Sequence, residues 1–61
     1  MTREEAKQYY DAIVGNLPDS IFEDLKTDLR LRRILVHHCG VVPEGVDEDD
    51  FFMEVLETLS A

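Results

Sequence analysis

Cys39 is the only cysteine in a chain of 61 residues, and that single count decides much of what the chain can fold into. No internal disulfide can form, so this is not a disulfide-stapled mini-protein. A chain this short buries only about 60% of the surface its unfolded form exposes. Burial gain minus ordering entropy then comes out near zero. With no crosslink and no obvious metal site, support is expected from a second copy, as a homodimer, or from a larger protein partner. The same length excludes a catalytic α/β or dinucleotide-binding domain, which needs roughly 100 residues or more. It also leaves little material to wall off an enzyme-sized cleft. A protein without catalysis and without a cofactor is expected.

Turn signals at Gly15-Asn16-Leu17-Pro18-Asp19-Ser20 and from Gly40 through Pro43 and Gly45 to Asp47 leave three segments with helical periodicity. Over residues 3–14, Ala6, Tyr9, Tyr10, Ile13 and Val14 fall, together with Leu17, within an arc of roughly 140°. Thr2 and Glu5 have capping-box spacing ahead of them, and Gly15 ends the run. Over residues 48–60, Phe51, Phe52, Val55, Leu56 and Leu59 share a similar arc behind an Asp47 cap. Glu48, Asp49 and Asp50 suit the helix dipole in the first turn.

The middle segment, residues 19–39, is less simple. Ser20 and Glu23 repeat the capping-box spacing, and Gly40 closes the segment. Ile21, Phe22, Leu25, Leu29 and Val36 share one face, while Leu31, Ile34 and Leu35 lie on another. Two seams fit a central helix with a neighbour on each side, or a second seam reserved for a dimer mate. A break near residues 27–28, with Thr27 capping a new helix, would restart the phase and remove the second seam. The expected architecture is all-α: one small helical domain over residues 1–61, a compact three-helix bundle with helices at about 3–14, 19–39 and 48–60. The three valines of the second turn, Val41, Val42 and Val46, either tuck under the bundle or form a short extended piece.

Charge is segregated along the chain. The total is 14 Asp+Glu against 6 Lys+Arg, net −8. Residues 41–61 hold seven acids and no base, whereas residues 21–40 hold four bases and three acids. On a continuous helix Lys26, Arg30, Arg33 and His37 fall within about 60° of one another. This basic stripe either pairs internally with the acids of the outer helices or docks onto an acidic partner. Arg32 lies apart, nearer the apolar face, and is expected to snorkel. Asp50, Glu54 and Glu57 form an acidic stripe with no base within reach along its own helix. It reads as a solvated face or as a stand-in for phosphates. Nucleic acid is disfavoured as a partner, because the field of so acidic a molecule repels a polyanion.

His37-His38-Cys39 holds metal-ligating residue types, but adjacent helical residues diverge by about 100° and those two apart by about 200°. No metal site is expected from it. Asp47 to Asp50 lacks the loop of a calcium site. Pro18-Asp19-Ser20-Ile21 resembles the Asp-Ser-Leu site of acyl carrier proteins over two or three residues. Only 19 residues precede Ser20 where that family has a full helix and a long loop, and Ile stands in place of Leu. Ser20 is therefore read as a helix cap. No run of about 18 apolar residues could span a membrane, and the start carries no secretory signal. A cytoplasmic location and a bacterial or phage origin are expected.

The function class that remains is interaction. The leading expectation is a small acidic regulatory or inhibitory protein that binds a larger one through Lys26, Arg30, Arg33, His37, Leu31, Ile34 and Leu35, or through Asp50, Glu54 and Glu57. The alternatives are a structural homo-oligomeric helical module and an acidic mimic that blocks a nucleic-acid-handling enzyme.

Overall fold

Four helices, not three, make up the computed structural model, which describes residues 1–61: α1 (Arg3–Val14), α2 (Ile21–Thr27), α3 (Leu29–Cys39) and α4 (Glu48–Ser60). The all-helical expectation holds. The count of three is corrected: of the two possibilities held for residues 19–39, the break near residues 27–28 is the one found, and it falls at Asp28. That residue takes an extended conformation (φ −111°, ψ 101°) and serves both as the end of α2 and as the N-cap of α3. Its carboxylate accepts from the Leu31 amide at 3.1 Å. Thr27 is still helical and is not the cap; its hydroxyl turns back to the Asp24 carbonyl at 3.4 Å.

The caps follow local chemistry. At α1 both arms of the capping box form, with the Glu5 amide donating to Thr2 Oγ1 (3.1 Å) and the Thr2 amide to Glu5 Oε1 (3.0 Å). Asp47 accepts from the Asp50 amide at 3.0 Å and starts α4. Ser20 makes no side-chain cap, contrary to the expectation for it. The turn ahead of α2 supplies the reason: the Ile21 and Phe22 amides donate to the Pro18 and Asp19 carbonyls (3.0 and 3.1 Å). Ser20 itself lies inside that turn with helical angles (φ −60°, ψ −20°), not the extended conformation from which a hydroxyl caps a helix. Gly40 closes α3 in the left-handed region (φ 66°, ψ 24°), where an L side chain would be strained.

The core joins Ala6, Ile13 and Val14 of α1, Leu25 of α2, Val36 of α3 and Phe51, Phe52, Val55 and Leu56 of α4. Four of these nine residues come from α4, which is the hub that α1, α2 and α3 pack against. Edge-to-face aromatic pairs fasten α1 to its neighbours: Tyr9 meets Phe51 at 4.9 Å between centroids, and Tyr10 meets Phe22 at 5.6 Å. Burial, with Asp19 and Asp11 nearby, raises the Tyr10 phenol above its usual range. Val41 and Val42 pack against the core, whereas Val46 stays exposed. No helix is long and apolar enough to cross a membrane.

Candidate interaction surface on α3

The break at Asp28 decides which side of α3 faces the core. Restarting the helix turns Arg32 and Val36 inward, leaves Leu31, Leu35 and Cys39 half-buried, and sends Leu29 to the surface. The apolar set expected on one face is therefore split. Leu25 and Val36 are fully buried, while Leu29 is 42% exposed.

Arg32 is the one buried charged side chain, 8% exposed. Its Nε donates to Asp49 Oδ1 and its Nη1 to the Leu25 carbonyl, both at 2.8 Å. In an unbroken helix the Leu25 carbonyl would accept from the amide four residues on. Here the guanidinium supplies the donor instead. One side chain thus ties the end of α2 and the body of α3 to the first turn of α4. Its rigid fork suits two acceptors at once, which a lysine ammonium would match less well. Arg32 was expected near the apolar face, but its partners were not foreseen. The only hint was a base seven residues after Leu25 on the core-facing side of a helix.

The four residues of the expected basic stripe have different fates. Lys26, on α2, lies over the Phe22 ring (5.2 Å to the centroid), with its ammonium 3.8 Å from Glu23. It lines a depression with Met53, Leu56 and Glu57 of α4. Arg33 and His37, on α3, line a separate cleft with Val46 and with Asp47 to Asp49. His37 Nδ1 is 3.3 Å from Glu48 Oε1, and the His37 side chain is 83% exposed. Arg30 and Arg33 are exposed and, alone among the six lysines and arginines, make neither an ion pair nor a hydrogen bond. In a chain with 14 acids, two unpaired arginines on one helix face stand apart from the general pattern.

Beside them sits Ile34, next to Arg33 and one turn after Arg30, 66% exposed and the most exposed of the large apolar side chains. It forms the ridge between the cleft just described and an open groove of about 550 Å³ between α1 and α3, lined by Ala12, Ile13, Leu35, His38 and Cys39 as well. Leu35 is in that groove, and Leu31 is half-buried against the core. The Cys39 thiol donates to the Val36 carbonyl at 3.2 Å, while His37 turns to Glu48. These neighbours therefore point apart.

On α4, Asp50, Glu54 and Glu57 are all exposed. Glu54 meets the Met1 ammonium at 3.0 Å, and that contact raises the amine above its usual 8.0. Asp50 and Glu57 have no ion-pair partner. Comparison with protein-family models, with curated proteins and with solved structures gives no match for this chain.

Proposed function

We propose that this chain is a small acidic regulatory protein that binds a larger protein through the outward face of α3 and performs no chemistry of its own. The observation that carries the reading is Ile34, 66% exposed, beside two arginines with no internal partner. An apolar side chain held out in water on a rigid helix, beside unpaired guanidinium groups, has the make-up of a binding hot spot. The matching surface on the partner offers an apolar pocket for Ile34 and carboxylates for Arg30 and Arg33. His37, Leu31 and Leu35 extend the contact along the helix.

The test compares capture of partners from the native host by the parent chain, by Arg30→Glu with Arg33→Glu, and by Ile34→Asp, with helicity checked by circular dichroism. A specific partner lost by both variants while their helicity holds supports the reading. A partner retained equally by all three proteins sinks it.

A second reading uses the unpaired Asp50 and Glu57 on α4. With Glu54, they could occupy a basic groove in place of phosphates. Changing all three to Gln abolishes capture by polybasic proteins if this edge is the one used. Capture that persists after that change rules it out.

A further inference from the structure

The outward faces of α3 and α4 match each other in register. On α3 the exposed positions include Arg30, Arg33, Ile34 and His37, with Leu29 and His38 exposed as well. On α4 the stripe is Asp50, Glu54 and Glu57, with the half-buried Met53 among them. Set antiparallel, the spacing of three then four along α3 meets the same spacing read backwards along α4. Arg30 falls opposite Glu57, Arg33 opposite Glu54, Ile34 opposite Met53 and His37 opposite Asp50. A parallel arrangement breaks this correspondence, because its spacings run three-four against four-three. The two faces cannot meet within one molecule, since both are exposed and α3 and α4 already pack through other sides.

We propose that the α3 face is covered by the α4 face of a second copy of this chain, antiparallel and in that register. The contact rests on the same surface as the proposed function and hides it, so self-association and partner binding compete. The charge distribution favours this occupant: the chain's unpaired arginines lie on α3, and its base-free acidic third supplies α4. The contact is small. A standard interface takes about 800 Å² per partner, close to a fifth of the 4283 Å² this molecule exposes, and one helix face offers less. Association is therefore weak and transient. Two copies at net −8 also repel at long range. Screening over about 8 Å at 0.15 M ionic strength removes most of that repulsion while the pairs stay in contact.

The experiment is sedimentation velocity from micromolar to millimolar concentration at about 0.15 M ionic strength. It uses the parent chain, Arg30→Glu with Arg33→Glu, Glu54→Arg with Glu57→Arg, and an equimolar mixture of the two variants. Circular dichroism first confirms that each variant is helical. The parent is expected to rise above 7.0 kDa with concentration. Each variant alone should lose at least about tenfold in association constant. The mixture should recover it, because each variant then presents the charge that the other lacks. A parent that stays at 7.0 kDa throughout, variants that associate as well as the parent, or a mixture that recovers nothing each overturns the proposal. A monomeric parent that still loses a larger partner through Arg30 and Arg33 would overturn this contact alone and leave the proposed function standing.

Discussion

Arg30, Arg32 and Arg33 lie within four residues of one another, yet the fold assigns them opposite tasks. Arg32 is enclosed, with both its hydrogen bonds made to groups that are largely withdrawn from water. Removing it strands the Leu25 carbonyl and leaves Asp49 unpaired. Arg32→Met should therefore lower stability by about 2–3 kcal/mol in urea unfolding. Asp49→Asn should cost less, because that side chain is 23% exposed and water partly replaces the partner. The double variant should be less destabilised than the sum of the two by about 1 kcal/mol or more. Strict additivity would show that the pair is not coupled. The sequence revealed that bases cluster between residues 26 and 37, but not which of them turns inward. That choice depends on the phase of α3, which Asp28 resets, and on a carbonyl left open at the end of a different helix. Periodicity within one segment contains neither piece of information.

At the scale of elements, α1 and α4 were legible almost to the residue, because each has one apolar arc and a side-chain cap, and Gly15 stops α1. The middle segment was legible as helical but not as two helices. Its apolar residues fit a continuous helix with two seams as well as a broken one with a single buried face. Thr27 was the cap expected at such a break, but the ionised side chain of Asp28, one residue on, took the position by accepting from the Leu31 amide. Two substitutions separate the caps that form from the one that does not. Asp28→Ala should cost about 1 kcal/mol, whereas Ser20→Ala should change stability by less than about 0.5 kcal/mol. Equal losses from both would mean that Ser20 caps α2 after all.

The box at α1 makes a pH-dependent prediction. The Thr2 backbone amide, and then its hydroxyl, hold the Glu5 carboxyl below its usual 4.5. A carboxyl with a depressed folded pKa contributes its stabilisation above the unfolded value and loses it as pH falls through the folded one. The parent should therefore be more stable than Glu5→Gln at neutral pH, with the difference shrinking as the solution is acidified below 4.5. A difference that stays constant through that range would contradict the assignment.

Across the whole molecule, α4 collects the core and the fold leaves one helix face without an internal task. The segregation of charge was plain from the sequence, as was the presence of apolar residues beyond what one seam could bury. Which of these remained exposed was not. Leu31 and Leu35 found partial cover against the bundle, and Ile34 did not, because the restart of α3 at Asp28 sets it on the ridge between the α1 groove and the cleft at the start of α4. Lys26 left the basic stripe for the same reason, being on the other side of the break. Whether that face is spare is decided by the urea-unfolding free energy of one chain that combines Arg30→Gln, Arg33→Gln and Ile34→Ser. Ile and Ser have similar helix propensities, so the change isolates what the face contributes to packing. If the outward face of α3 is free for binding, the triple variant should unfold within about 0.5 kcal/mol of the parent. A loss of about 2 kcal/mol or more would show that these side chains hold the fold together and that the surface is not free to bind anything.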